Sequence, residues 1–155
     1  MMRAAMAGVL LLLLGVQKQE VVFRNVVWGM EPAQVLAVET AQLIKESPGR
    51  LFYRGEEEGY PAIIVYSFVE NKLIQATCIF QCEGTVSTSD LIKDLEHKLT
   101  RKFGQPEIVK ANYKAVWGTS STHISLNLTD EQKVVLNYLS SQLAKEFAGK
   151  WKSSM

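Results

Sequence analysis

Between Thr122 and Leu128 apolar and polar residues alternate strictly. Ile124, Leu126 and Leu128 fall on one side and His123, Ser125 and Asn127 on the other, the period of a half-buried strand. From Ser87 to Phe103 the period changes. Leu91, Ile92, Leu95, Leu99 and Phe103 form a helical stripe, with Ser87, Thr88 or Ser89 available as the cap and Gly104 and Pro106 as the stop. A shorter helix is expected to begin at Pro32, which suits a first turn. It carries Val35, Val38 and Ala41 on one side, runs past Leu43-Ile44 and ends at Ser47-Pro48-Gly49.

Extended chain is expected around these helices. Residues 21–28 (VVFRNVVW) are β-branched and aromatic, and Gly29 permits a sharp change of direction before the helix. LFYR precedes an acidic loop at Glu56-Glu57-Glu58. YPAIIVYSFV and KLIQATCIF flank Glu70-Asn71 as a hairpin, with Ile74, Ala76, Cys78 and Phe80 on one side. Residues 107–118 (EIVKANYKAVWG) read as extended, and Thr129–Gln132 turns the chain into KVVLNYL. A short helix capped at Ser140 or Ser141 closes the pattern.

In chain order this is helix and three strands, twice, then a tail helix. The expected fold is α+β: two tandem helix-plus-three-strand units, with half-repeats at about 26–82 and 86–140. They would form an antiparallel sheet with helices packed on one face, in a single domain over 21–152.

The first 20 residues differ in kind. One basic residue, Arg3, precedes an apolar run from Ala4 to Val16, and Gln17-Lys18-Gln19-Glu20 follow. A membrane-spanning helix needs about 20 apolar residues, whereas the core of a secretory signal needs about 7–15. The segment therefore reads as a signal-like leader, with Gly15 the best small residue for cleavage. An amino-terminal core helix and an uncleaved anchor are the alternatives. The implied location is the periplasm or the exterior, with membrane contact only through an uncleaved leader.

Gly29-Met30 with Val35 six residues after the glycine carries a resemblance. It resembles the repeat signature of small exported bacterial proteins: the SmpA/OmlA-type outer-membrane assembly lipoproteins and the β-lactamase inhibitor protein. KFGQPEIVKANYKAVWG is similar to the continuation of such a unit. The resemblance implies tandem helix-plus-three-strand units and protein binding by the sheet face that helices leave free. No cysteine follows the leader to carry a lipid, and the second half lacks the Gly-Met pair.

Charge removes one class of partner. The net charge is +1 and basic residues form no stripe, so nucleic acid is not expected. Cys78 and Cys82 lack the spacing of redox or zinc sites. On one strand they would lie about 13 Å apart, beyond disulfide reach, and they read as buried or free thiols; a bridge, which an oxidising compartment would favour, needs the chain to turn after Phe80, as Glu83-Gly84 permits. No metal spacing appears among His97, His123, the cysteines and the carboxylates, and no cofactor is expected. Ser120, Ser121 and His123 offer a nucleophile and a base, but no third orienting group is evident and Gly-x-Ser-x-Gly is absent. A polar strand face explains them more simply.

The functional expectation is a non-enzymatic envelope module that binds a protein through an open sheet face. Trp117, His123, Ser125 and Asn127 are the candidate contact residues. A small-molecule or lipid carrier with an apolar pocket is the alternative.

Overall fold

The computed structural model describes residues 20–82, 84, 86–109 and 113–150. The leader over 1–19 lies outside the described residues, as do 110–112 of the segment expected to be extended.

Eight strands form one antiparallel sheet: β1 (Gln42–Ser47), β2 (Arg50–Glu57), β3 (Tyr60–Val69), β4 (Lys72–Phe80), β5 (Glu107–Val109), β6 (Lys114–Gly118), β7 (Thr122–Leu128) and β8 (Val134–Ser140). Their order across the sheet is β1-β2-β3-β4-β8-β7-β6-β5. Three helices are found among the described residues: α1 (Pro32–Val38), α2 (Thr88–Phe103) and α3 (Ser141–Glu146). Each half of the sheet is a four-stranded meander, and the two join where β4 pairs with β8.

The expected pair of helix-plus-three-strand units is therefore corrected to a sheet-dominated fold. The extra strand in the first half comes from residues assigned to the first helix. That helix stops at Val38, and Glu39 leaves it with φ −76° and ψ 126°. The reason is tertiary: the Glu39 carboxylate accepts two hydrogen bonds of 2.9 Å from Arg24 and one from the Tyr66 hydroxyl. Ser47-Pro48-Gly49 is then a hairpin turn between β1 and β2, with Gly49 at φ +74°.

Glu56 and Glu57 also belong to a strand, since β2 runs through them to a turn at Glu58-Gly59. Both central turn residues there have positive φ, as do Glu70 and Asn71 between β3 and β4. Two-residue turns of this kind match the twist of the strands that they connect.

Register places alternate side chains on opposite faces. On one face Tyr53, Ile64, Tyr66, Ala76, Cys78, Leu136, Tyr138, Ile124, Leu126, Ala115 and Trp117 meet Leu91, Ile92, Leu95 and Leu99 of α2 and Val35 of α1. Ser87 caps α2 by accepting from the Asp90 N–H at 3.1 Å. The short α1 covers little, and residues 20–30 complete this side as a strap. Its expected strand is reduced to a bridge between Phe23 and Val26. The Phe23 ring centre lies 4.7 Å from that of Tyr138 and 6.1 Å from that of Tyr66. The Trp28 indole donates to Thr122 Oγ1 at 2.9 Å.

Candidate functional site

The second face of the sheet lies opposite α1 and α2; the end of α3 turns back to the β3–β4 end of the sheet, where Phe147 is buried with Lys72 over its ring and Lys150 pairs with Glu70. Its side chains follow from the register. Phe52, Val65, Thr77, Asn137, Ser125, Val116 and Glu107 are successive cross-strand partners from β2 to β5, and Lys45 of β1 completes the row. One row along the strands, Arg54, Ile63, Ile79, Val135, Asn127 and Lys114 are partners. On the other side of the central row stand Ser67, Gln75, Leu139, His123 and Gly118.

The four central strands, β3, β4, β8 and β7, thus present no Asp, Glu, Lys or Arg within these rows. Charged side chains begin at the margins, with Lys45, Arg50, Arg54 and Glu56 on the β1–β2 side and Lys114 and Glu107 on the β6–β5 side. This distribution resembles a protein interface, where the centre is depleted of charge and the rim is polar. The centre is also ordered by hydrogen bonds of its own. Asn137 Oδ1 accepts from the Thr77 hydroxyl at 2.7 Å and from the Gln75 amide at 3.2 Å, fixing three polar side chains across the β4–β8 seam.

The four candidate contact residues divide between the faces. His123 is exposed on the open face, and Ser125 and Asn127 follow it along β7. Ser125 is 7% exposed, and Asn127 Oδ1 is buried with no hydrogen-bond partner among the described residues. Trp117 points the other way. It pairs with Ile124 on the helix-covered face, is 3% exposed, and its indole donates to the Gly104 carbonyl at 3.0 Å, tying β6 to the end of α2. The place proposed for its ring on the open face is taken by Val116.

Residues that the sequence did not single out supply the middle of the face. Val65, Thr77, Ile79, Val135 and Asn137 come from strands distant in sequence, and only the β3–β4 and β4–β8 registers align them with β7. The period-two pattern of each strand is the signal for its facing, but nothing local states which strands are neighbours.

The serines and histidine considered for nucleophilic chemistry are not assembled. Ser121 Oγ lies 3.2 Å from Thr122 Oγ1, while His123 is turned to the open face opposite Leu139 and Gly118. Cys78 is buried in the core, where burial pushes its thiol well above the ordinary range; Cys82 is exposed beyond the end of β4. Among the described residues no group of three metal-ligating side chains comes together. None of their helices is long and apolar enough to cross a membrane.

Two carboxylates with shifted titration, Glu39 and Glu57, lie on the covered face, under the strap. Burial pushes Glu39 up, but hydrogen bonds from Arg24, Tyr66 and the Ala41 N–H outweigh it and hold the carboxyl below its usual range. Glu57 stands 3.4 Å from Arg24 Nη1, and burial raises it beyond what Arg24 returns. The same environment pushes the Tyr66 hydroxyl upward, through burial and then its bond to Glu39. This cluster fastens the strap and does not open to a ligand-sized cavity. A recess of about 660 Å³ lies at the strand ends between Trp28, Met30, Gln34, Lys72, Ser121 and Leu143. It is open and mixed in polarity, unlike the enclosed apolar pocket that a lipid carrier requires.

No protein-family model matches the chain, and neither does any curated protein or solved structure.

Proposed function

We propose that this protein is a non-enzymatic interaction module of the cell envelope that binds a protein through the open face of its sheet. The observation that carries the proposal is the charge-free centre of that face, spanning β3, β4, β8 and β7 between charged margins. An uncovered sheet face in a monomer ordinarily alternates apolar inside with polar or charged outside. Here Ile63, Ile79, Val135 and Leu139 stand half-buried on the outer side instead, around a buried Val65 and among uncharged Thr77, Asn137 and Ser125. Apolar side chains grouped in this way on a surface mark contact sites.

The envelope assignment rests on the leader and on the Gly29-Met30 resemblance to exported repeat proteins. The helix-covered side is filled by core side chains from both halves, which favours binding on the other side over enclosure of a ligand.

A photo-crosslinking amino acid at His123, on the open face, tests the proposal against the same group at Lys93, exposed on α2. Adducts with a defined protein are expected from position 123 and not from position 93. Adducts from neither position, or equally from both, would refute an interface on this face.

A further inference from the structure

Reversed end for end, the central row of the open face is complementary to itself. Lys45 at the β1 end then meets Glu107 at the β5 end, and Phe52 meets Val116. Val65 meets Ser125, and Thr77 meets Asn137. In the adjoining row the same reversal sets Ile79 on Val135.

We propose that the open face takes a second copy of this chain, the two sheets meeting about a two-fold axis that runs parallel to the strands above the β4–β8 seam. The inference rests on reading that face as an interface and names its occupant. A two-fold contact of this type uses one patch on both subunits, so residue i meets j and j meets i. The reversal of the row satisfies that requirement.

Size agrees. Eight strands spaced about 4.8 Å apart span roughly 34 Å, and three side-chain rows along the strands cover about 20 Å. Two such faces bury on the order of 1,300 Å² together, within the roughly 1,200–2,000 Å² of a stable complex. Charge also permits the contact. The reversal brings Arg54 toward Lys114 of the second copy, but Glu56 on β2 and Glu107 on β5 stand at that same margin. Each rim therefore holds cations and anions together.

Twisted sheets packed in an aligned manner cross at about 30°. Contacts near the rims slide accordingly, while those on the axis stay in place. The seam residues Thr77, Ile79, Val135 and Asn137 are consequently the ones to test.

Sedimentation velocity of the full chain over a range of concentrations is expected to show a reversible monomer–dimer equilibrium. Thr77→Arg and Ile79→Arg each set a charge against the facing copy at the seam. Each is expected to abolish the dimer while retaining the far-UV spectrum and a cooperative melt; Lys93→Ala on α2 retains it. Ile79 makes no side-chain hydrogen bond, so its variant separates loss of association from loss of the Thr77–Asn137 bond. A monomer at every concentration, or a dimer that both arginine variants preserve, overturns the proposal. A monomer that still forms adducts from position 123 with a different protein removes the second copy as occupant and leaves the face as an interface.

Discussion

The two halves of the sheet reach the same cover by different means. In the second half α2 lays Leu91, Ile92, Leu95 and Leu99 along a stripe of its own, capped by Ser87. The helix is local, its contacts follow from its period, and its end at Gly104 is tied to β6 by Trp117. In the first half α1 has seven residues and buries only Val35. The strap makes up the difference, with Phe23 and Val26 in the core and Arg24 paired to Glu39. The second half is covered by secondary structure; the first takes irregular chain held through long-range contacts, and its β2–β3 turn bonds to α2, where Tyr60 donates to Asp94 and Lys98 to the Glu58 carbonyl at 2.8 Å. A helix can be replaced position by position with graded loss, whereas a strap fails when its anchor is removed.

The largest effect expected from this contrast lies with the aromatic anchor. Phe23→Ala removes a ring packed between Tyr66 and Tyr138, and a loss of about 3–5 kcal/mol is expected in chemical denaturation. Leu95→Ala in the second half should cost about 2–5 kcal/mol. Hydrogen exchange would separate the two: Phe23→Ala should open the strap and α1 while β5–β8 remain protected. Uniform loss of protection in both variants would show that the halves do not differ in this way.

Next is the ion pair. The Glu39 side chain is 1% exposed, so Arg24→Met leaves a buried carboxylate without its cation. Breaking a buried pair on one side costs about 3–5 kcal/mol, more than an exposed pair would. Glu39→Gln/Arg24→Met should recover part of that loss, because neither charge is then stranded.

The carboxylates give the strap a pH dependence of two signs. Glu39 titrates below its ordinary value, so the stability that it contributes is present above that value and is lost as pH falls through its folded pKa. Glu57 titrates above its ordinary value. Its folded form holds the proton longer, and stability declines as pH rises from the ordinary value through the folded one. Urea melts between about pH 3 and pH 8 should show a flattened acid limb in Glu39→Gln. In Glu57→Gln they should show a higher midpoint at neutral pH, a gain that disappears on acidification. An unchanged acid limb in Glu39→Gln would contradict the hydrogen bonds from Arg24, Tyr66 and Ala41 that hold that carboxyl down.

The smallest effect is the cap. Ser87→Ala removes the acceptor of the Asp90 N–H and should lower stability by about 1 kcal/mol, with no effect on the strap.

Legibility in the sequence follows the same division. The α2 stripe, its cap and its stop are local and can be read directly, as can the facing of His123, Ser125 and Asn127 on β7. The first helix could not be bounded, because Val35, Val38 and Ala41 keep a helical spacing beyond the point where Arg24 and Tyr66 draw Glu39 out. Ser47-Pro48-Gly49 ends a helix or turns a hairpin equally well. Trp117 shows a further limit. Lys114, Ala115, Val116 and Trp117 offer two acceptable facings, and only pairing with Ile124 decides between them. The open face was legible along one strand and hidden across the rest, since its centre is made by the β4–β8 register.

The place of β8 also bears on how the chain folds. It is the last strand in chain order, yet it lies in the middle of the sheet, between β4 and β7. Until it inserts, the first meander ends in an open edge at β4, and neither Phe23 nor the seam polar network has its partner from β8. The Trp28–Thr122 bond likewise spans 94 residues of sequence. Contacts of such long range slow folding, and unpaired strand edges in a partly folded chain invite association. Assembly should therefore be late and cooperative. The first half, released alone, would expose the edge that β8 exists to close.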